Sequence, residues 1–363
     1  MKRKKVLVVD DSAFMRKLIS DFLSSSPLLE VVGTARNGRD ALDKIEMYLP
    51  DVLTLDVEMP EMNGIEALKA IMELNPLPVV MLSSTTKEGA ENTITAMNMG
   101  AVDFVPKPSG AISLDLHKVK EDLIAKVLNA SEVPVRHLKK AERPFQGITR
   151  PAASSQQSGR NQMAAWNSHS EKIICIGTST GGPRALQQVV TAIPENVQAP
   201  ILIVQHMPPG FTKSLANRLD SLSRISVKEA ENGELLKKGT AYIAPGGFHL
   251  KVKEKSSGLI AVLDVDEPPR SGHRPAVDVM FESISNISSY DKIAVIMTGM
   301  GTDGSKGLLE LKEKGNVKAI AEAEESCIVY GMPKAAISTN LVDDIQSVEN
   351  IAGCIMKYLP REV

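Results

Sequence analysis

The 363-residue sequence predicts an α/β fold twice over: two domains, each built on a parallel sheet, joined by a polar linker. Three observations carry this expectation. Two long segments alternate short apolar runs with amphipathic stretches, the pattern of strands joined by crossover helices. A stretch between them lacks any sustained apolar period and collects Pro134, Pro144, Pro151, Ser154, Ser155, Gln156, Gln157, Ser158 and Gly159. The length also falls in the two-domain range at roughly 100–200 residues per domain. The expected division is 1–125, a linker at 126–170, and 171–363.

In the first segment, apolar runs at 6–9, 31–32, 52–55, 79–82 and 104–105 read as strands, while Met15, Leu18 and Phe22, then Ala41, Leu42 and Ile45, mark helical stripes. In the second, strands are expected at 173–176, 201–204, 242–243, 260–263, 293–297 and 318–321. Helices follow at 183–193, 212–222, 277–285 and 305–314. The linker reads as a solvated tether, although Phe145, Arg143 and Trp166 leave room for a part that docks.

Charge separates these parts. Lys and Arg number 42 against 44 Asp and Glu, a net charge of −2 that gives no general pull toward nucleic acid or an anionic surface. Residues 1–130 hold 15 basic and 19 acidic side chains, 131–170 hold six and two, and 171–363 hold 21 and 23. The linker is therefore the basic part. No apolar run approaches the ~18 residues of a membrane span. The basic start at Lys2, Arg3, Lys4 and Lys5 is followed too soon by Asp10 and Asp11 for a signal peptide, so a cytoplasmic location is expected. Cys175, Cys327 and Cys354 are odd in number, widely spaced and flanked by apolar residues. They read as buried free thiols and make neither a disulfide framework nor a zinc site.

Asp10 and Asp11 directly follow the strand at 6–9, and Asp56 directly follows 52–55. Strand C-termini of an open parallel sheet share one edge, where ligands sit. Three carboxylates gathered there repel one another unless a divalent cation neutralises them, and Mg²⁺ suits an all-oxygen site. Lys107 follows 104–105, and Ser83 or Ser84 follows 79–82, adding a cation and a hydroxyl to the same edge. Any one of these aspartates alone would read as a helix cap. The set suits an aspartate that accepts a phosphoryl group.

Val8-Val9-Asp10-Asp11-Ser12, Leu55-Asp56-Val57-Glu58-Met59-Pro60, Leu82-Ser83-Ser84 and Val105-Pro106-Lys107-Pro108 resemble the signature of response-regulator receiver domains over about residues 4–121. The resemblance implies a (βα)5 fold with Asp56 as phosphoacceptor. It implies Mg²⁺ held by Asp10, Asp11, Asp56 and the backbone carbonyl of Glu58, with Ser83 and Lys107 as the switch pair. Phe104 stands where many members carry a switch tyrosine, so the ring is kept and the hydroxyl is not.

In the second segment the strand at 173–176 runs into Gly177-Thr178-Ser179-Thr180-Gly181-Gly182, with Pro183 opening a helix. Gly-x-Ser-x-Gly at a strand-to-helix turn matches a nucleophile elbow, in which glycines permit a strained turn that exposes the serine. The spacing matches neither G-x-G-x-x-G nor G-x-x-x-x-G-K-[ST], which weighs against a nucleotide cradle. A base is needed. His206 directly follows 201–204 on the edge that carries Ser179, whereas His249 and His273 end no good strand, and His117, His137 and His169 lie in the receiver's last helix or the linker. For the orienting carboxylate, Asp303 stands in the glycine-rich loop after 293–297, where it could also cap the next helix; Asp264, Asp266 and Asp278 are less well placed. The chain order Ser179, His206, Asp303 differs from the Ser, Asp, His order of α/β-hydrolases.

With Gln205-His206-Met207-Pro208-Pro209, Ala244-Pro245-Gly246-Gly247-Phe248-His249, His273-Arg274-Pro275-Ala276-Val277-Asp278 and Thr298-Gly299-Met300-Gly301-Thr302-Asp303-Gly304, the segment at about 171–360 resembles the chemotaxis methylesterase (CheB) catalytic domain. This implies a three-layer α/β/α domain with a mainly parallel sheet. It also implies hydrolysis of glutamate γ-methyl esters on chemoreceptor cytoplasmic helices, releasing methanol, and deamidation of particular glutamines there. The backbone N–H groups of Thr180 and Met300 would be oxyanion donors, and the hydrolytic step would need no cofactor. The implied partners are methylated chemoreceptors and the chemotaxis histidine kinase CheA. A DNA-binding output is disfavoured, because 171–363 is near neutral and far longer than such a module needs.

Overall fold

The computed structural model describes residues 2–108, 115–138, 166 and 170–359. Its first domain alternates β1 (Lys4–Val9), α1 (Ala13–Ser24), β2 (Leu29–Ala35), α2 (Gly38–Tyr48), β3 (Val52–Asp56), α3 (Gly64–Leu74), β4 (Val79–Ser83), α4 (Lys87–Met99), β5 (Asp103–Pro106) and α5 (Asp115–Ala130). The sheet is parallel in the order β2-β1-β3-β4-β5. β3 and β4 are buried at every residue because helices cover both faces, which is why they read as unbroken apolar runs. Local signals set the helix starts. Asn63 and Glu66 form a reciprocal capping box on α3, while Ser12, Asn37 and Thr86 accept N–H bonds at the starts of α1, α2 and α4.

α5 crosses the expected domain boundary at 125, runs to Ala130 and is followed by the short α6 (Val135–Leu138). Ala130, Val133 and Leu138 are buried with the first domain's core, so the first part of the expected linker is packed chain. Residues 139–165, with Phe145 and Arg143, lie outside the described residues. Trp166 does dock. Its Nε1 donates to the Tyr358 carbonyl at 3.1 Å, its ring meets Tyr358 edge-on at 5.7 Å, and Lys172 Nζ lies 4.6 Å from its centroid.

The second domain runs β6 (Lys172–Thr178), α7 (Gly182–Ala192), β7 (Ile201–Gln205), α8 (Phe211–Asp220), β8 (Ser226–Glu229), β9 (Thr240–Ile243), β10 (His249–Lys255), β11 (Gly258–Asp264), α9 (Val277–Ser285), β12 (Asp291–Ile296), α10 (Ser305–Lys314), β13 (Val317–Glu322), α11 (Met332–Ser338), β14 (Asp344–Gln346) and α12 (Val348–Lys357). Seven strands form one parallel sheet, ordered β14-β13-β12-β6-β7-β9-β8. Alternate residues of β6 supply the two cores. Ile174 and Ile176 pack with Leu186, Val189, Leu215, Ile351 and Ile355 of α7, α8 and α12. Ile173 and Cys175 pack with Phe281, Leu308, Leu311 and Ala336 of α9, α10 and α11. These are the three layers.

One strand lies elsewhere than expected. The run at 260–263 belongs to β11, which pairs antiparallel with β10 in a separate hairpin. The hairpin buries Leu250, Val252, Leu259 and Ala261 against α9, while Lys253, Glu254 and Lys255 are exposed; this one-sided burial is what an antiparallel pair permits and a central parallel strand does not. The three cysteines are free and buried, and burial raises their thiol pKa values. No helix among the described residues is long and apolar enough to cross a membrane.

Phe281 is fully buried in the core shared by β6, β10 and α9. Phe281→Ala should destabilise the second domain by about 3–5 kcal/mol through lost burial and the cavity left behind. Urea unfolding of the full chain followed by near-UV circular dichroism measures the shift.

Candidate active site and phosphoacceptor site

Both sites form where strand order reverses, at the C-terminal edge of a parallel sheet. In the first domain Asp10 follows β1 and Asp56 ends the adjacent β3. Oxygens of Asp10, Asp11 and Asp56 lie within 4.8 Å of one another. Lys107 Nζ pairs with Asp10 Oδ2 at 2.9 Å and Asp56 Oδ2 at 2.6 Å. Burial pushes the Asp56 carboxyl up to about 6; Lys107 opposes that shift and the charge of Asp10 adds to it. The donor set is three carboxylates with no imidazole or thiolate, so it fits a hard cation, and the cluster is a candidate Mg²⁺ site. The Glu58 N–H donates to Asp56 Oδ1 at 3.3 Å. The Ser83 hydroxyl, at the end of β4, is engaged with α4: it donates to the Gly89 carbonyl at 3.0 Å and accepts from Thr93 at 2.7 Å.

In the second domain β6, β7 and β12 are neighbours, and their C-terminal ends deliver Ser179, His206 and the 298–304 loop. Ser179 is half-buried between β6 and α7. The turn differs from the strained elbow in one respect: Ser179 has no positive φ, and the left-handed residue is Gly181, φ 76°, at the N-cap of α7. Gly299 is required for another reason, since a Cβ there would lie 2.8 Å from Ser179 Cβ. Pro183 opens α7, where its missing N–H leaves no bond unmade.

His206 bridges the other two predicted residues. Its Nδ1 lies 3.2 Å from Ser179 Oγ, and its Nε2 lies 2.7 Å from Asp303 Oδ2. Burial alone would raise the Asp303 carboxyl, but the imidazole and the N–H groups of Asp278 and Val277 hold it below the usual range. A carboxylate can only accept, so Nε2 carries the proton and Nδ1 offers its lone pair to the Ser179 hydroxyl. The other imidazoles play different parts. His273 is exposed and stacks on the His206 ring, centroids 3.9 Å apart and planes 10° apart, while His249 is buried with Nε2 against the Pro268 carbonyl. Asp264 is paired with Lys251 on the hairpin, and Asp266 is exposed.

Asp303 does not simply cap the helix that follows it. Its Oδ2 accepts from Val277 N at 2.7 Å and its Oδ1 from Asp278 N at 2.9 Å, which satisfies the start of α9. Asp278 in turn accepts from Gly304 N at 2.9 Å and Gly307 N at 2.7 Å, at the start of α10. The two helices exchange caps, and each carboxylate lies at a helix N-terminus, which favours negative charge. Other contributors were not expected from the sequence. The Gln205 carboxamide donates to the carbonyls of Ser179 and His206, tying the two loops together. Glu322, fully buried at the end of β13, accepts from the Thr298 N–H. Its signal was present in the chain: it is an acid at a strand C-terminus on the same edge as Asp303.

The first domain sits against this edge. Thr180 Oγ1 donates to Asp103 Oδ2 at 2.5 Å, and Phe104 stacks on Phe211, the first residue of α8, with centroids 4.6 Å apart. Asn129 of α5 reaches the Met300 sulfur, and Arg184 Nη1 donates to the Leu138 carbonyl at 3.2 Å.

Burial pushes Asp278 up to about 6, opposed by the Gly307 N–H and assisted by the charge of Asp303. The folded chain thus holds this proton more tightly than the unfolded chain, whose value is near 3.8. Stability from this group therefore falls as pH rises from about 4 to about 6. Asp278→Asn keeps an acceptor for Gly304 and Gly307 and removes the titration, so the decline over that range should flatten. Denaturant midpoints at pH 4 and 6.5 for both proteins check this.

A family model described as CheB methylesterase matches residues 174–355, and one described as response regulator receiver domain matches residues 6–117. A protein-glutamate methylesterase/protein-glutamine glutaminase of Geobacillus kaustophilus is 61% identical over 359 residues, covering 99% of each chain. The similarly named protein of Bacillus subtilis is 51% identical over 363 residues, covering 99% of each chain, and that of Pyrococcus abyssi 44% over 353, covering 97% of this chain and 93% of its own. The crystal structure of the Thermotoga maritima CheB methylesterase catalytic domain superposes with a TM-score of 0.50 at 46% identity, covering 52% of this chain and all of that one. Similarity over nearly the full length, in both domains and in this order, shows that the chain belongs to the CheB family, a methylesterase/glutaminase fused to a response-regulator receiver domain.

Proposed function

We propose that the chain hydrolyses γ-methyl esters on glutamates of chemoreceptor cytoplasmic helices and deamidates glutamines there, with Ser179 as nucleophile, His206 as base and Asp303 as its orienting carboxylate. The observation that carries this reading is the His206 ring, within hydrogen-bond reach of both Ser179 Oγ and Asp303 Oδ2. His206 Nδ1 takes the serine proton as Oγ attacks the ester carbonyl, and Asp303 stabilises the imidazolium that results. Collapse of the tetrahedral intermediate expels the alkoxide, His206 returns the proton to release methanol, and water attacks the acyl-enzyme by the same route. An amide follows the same steps with ammonia as leaving group.

The backbone N–H groups of Thr180 and Met300 are proposed to hold the oxyanion. Among the described residues neither has an acceptor, so both are free to point at developing charge. Met300 is exposed beside Ser179's loop, with Asn129 of the receiver's last helix against its sulfur. Ser179→Ala and His206→Ala should each lower kcat by on the order of 10⁴–10⁶, and Asp303→Ala somewhat less. Methanol release from methylated receptor membranes measures this, and a Ser179→Ala protein with near wild-type release would sink the assignment.

The proposed division assigns 1–125 to the receiver, 126–170 to a connector and 171–363 to the hydrolase, with the continuous α5 placing the receiver's last helix across the first boundary. Asp56 is the proposed phosphoacceptor, and a CheA-type histidine kinase the proposed phosphodonor. Asp10, Asp11, Asp56 and the Glu58 carbonyl would hold Mg²⁺, which when bound neutralises charge for phosphoryl transfer. Lys107 already spans Asp10 and Asp56 and would pair with a phosphoryl oxygen, while Ser83 would exchange its α4 partners for another. A phosphoryl group adds about −1.5 to −2 charge at this edge. Reordering Ser83, Lys107 and Phe104 would weaken the stack on Phe211 and the Asp103–Thr180 bond, releasing the hydrolase mouth. Acetyl phosphate with Mg²⁺ should therefore raise methanol release several-fold in the wild type and leave Asp56→Asn unchanged. Phe104→Ala should raise the basal rate without a phosphodonor; an unchanged rate in this variant would remove the ring stack as the restraint.

A further inference from the structure

We infer that Glu322 is a positioning residue for hydrolysis, fixing the nucleophile turn and the oxyanion loop together through the backbone of Thr298. The inference rests on the assignment of Ser179 as nucleophile. Glu322 ends β13, one strand beyond β12, and is wholly buried. It touches no reacting atom. Its Oε2 accepts from Thr298 N at 2.7 Å, and its Oε1 accepts from the Ser326 hydroxyl at 2.9 Å. Ser326 Oγ accepts in turn from Val348 N at 3.0 Å, at the start of α12, so the carboxylate is held in one orientation.

Thr298 is the residue through which this carboxylate acts. It is 1% exposed and uses every polar atom it has. Its carbonyl accepts from Ser179 N at 3.0 Å and from Thr178 Oγ1 at 2.9 Å. Its hydroxyl donates to the Thr180 carbonyl at 2.9 Å and accepts from Val329 N at 3.0 Å. One residue thus holds Thr178, Ser179 and Thr180, and two positions later the same strand of chain presents Met300. The next residue, Gly299, is pinned by its own bonds, from its N–H to the Val329 carbonyl and to its carbonyl from Gly331 and Met332.

Among the described residues the Thr298 N–H has only Glu322 as acceptor. Without it, a buried donor is orphaned, and the least costly response is a shift of Thr298 toward another partner. Any such shift moves Ser179 and the Met300 amide relative to each other, the distance on which an acyl-transfer site depends. A displacement of order 1 Å at such a site costs about 10²-fold in rate. Burial also raises this carboxyl to about 7, against the pull of the Thr298 and Ser326 donors. Neutral and ionised forms both present an oxygen to Thr298, so the requirement is for an acceptor in place, not for charge. Glutamine meets that requirement and alanine does not.

The test is methanol release from methylated receptor membranes by the full chain, activated with acetyl phosphate and Mg²⁺, for Glu322→Ala, Glu322→Gln and a Ser179→Ala control. Glu322→Ala should lower kcat by at least about 10-fold with KM within about 2-fold, and Glu322→Gln should keep kcat within about 3-fold of wild type. Unchanged kcat in Glu322→Ala overturns the inference, as does a loss in Glu322→Gln equal to that in Glu322→Ala. Should Glu322→Ala not accumulate as folded protein, Ser326→Ala frees the second carboxylate oxygen while keeping charge and volume. A drop in kcat of about 3-fold or more at unchanged KM then supports the inference, and unchanged kcat overturns it. Activity retained by Ser179→Ala would instead refute the nucleophile assignment, a failure that the Glu322 variants cannot mimic.

Discussion

Asp303 is a carboxylate 3% exposed to solvent, and the hydrolase is arranged around making that tolerable. An ionised acid taken out of water is stable only when donors replace its hydration. Here the donors are His206 Nε2 and the N–H groups of Val277, Asp278 and Gly304. Meeting that demand fixes where α9 begins, where the 298–304 loop turns and which ring nitrogen faces Ser179. Asp278 repeats the device toward α10. The arrangement of Ser179, His206 and Asp303 is thus tied to two helix starts whose N–H groups these carboxylates satisfy.

The receiver meets the same constraint by a different route. It too gathers acids at the strand edge where the sheet order reverses, but its three carboxylates share no helix-cap exchange; Lys107 is the only cation paired with them among the described residues. Burial raises the Asp56 carboxyl, Lys107 opposes that shift, and the charge of Asp10 adds to it. One site compensates a buried acid with its own donors, whereas the other leaves its carboxylates to a candidate external cation.

Much of this was legible in the sequence because the chemistry clusters at strand ends. Asp10, Asp56, Lys107, Ser179, His206 and Asp303 each follow a short apolar run, and parallel topology brings such positions to one edge. What escaped was of two kinds. β8 and β14 are short edge strands with few apolar residues, and in β10 only Leu250 and Val252 alternate with polar ones, a stretch too short to stand out. The supporting bonds of Thr298, Gln205 and Glu322 also escaped, because they depend on which backbone groups are left unpaired once the loops have folded. Asp278 was visible as a residue, but its place at the start of α10 was not: Gly304 lies 26 residues away, and no local pattern encodes that exchange.

The docking of the two domains joins these levels. Asp103 and Phe104 are consecutive on β5, and in a strand consecutive side chains leave on opposite faces. Both nevertheless reach the hydrolase, because Asp103 meets Thr180 at the helix start beside Ser179 and Phe104 meets Phe211 at the start of α8, just beyond His206. The receiver's edge strand therefore touches the segment after Ser179 and the segment after His206. Phe104 is also tied to Lys126, which donates to its carbonyl and lies 5.3 Å from its ring. The ring is thus held between a lysine and a stacked partner aromatic. With no hydroxyl on this ring, its position is set by packing and the Lys126 cation, and the contact at Phe211 is what the proposed phosphorylation of Asp56 would have to loosen.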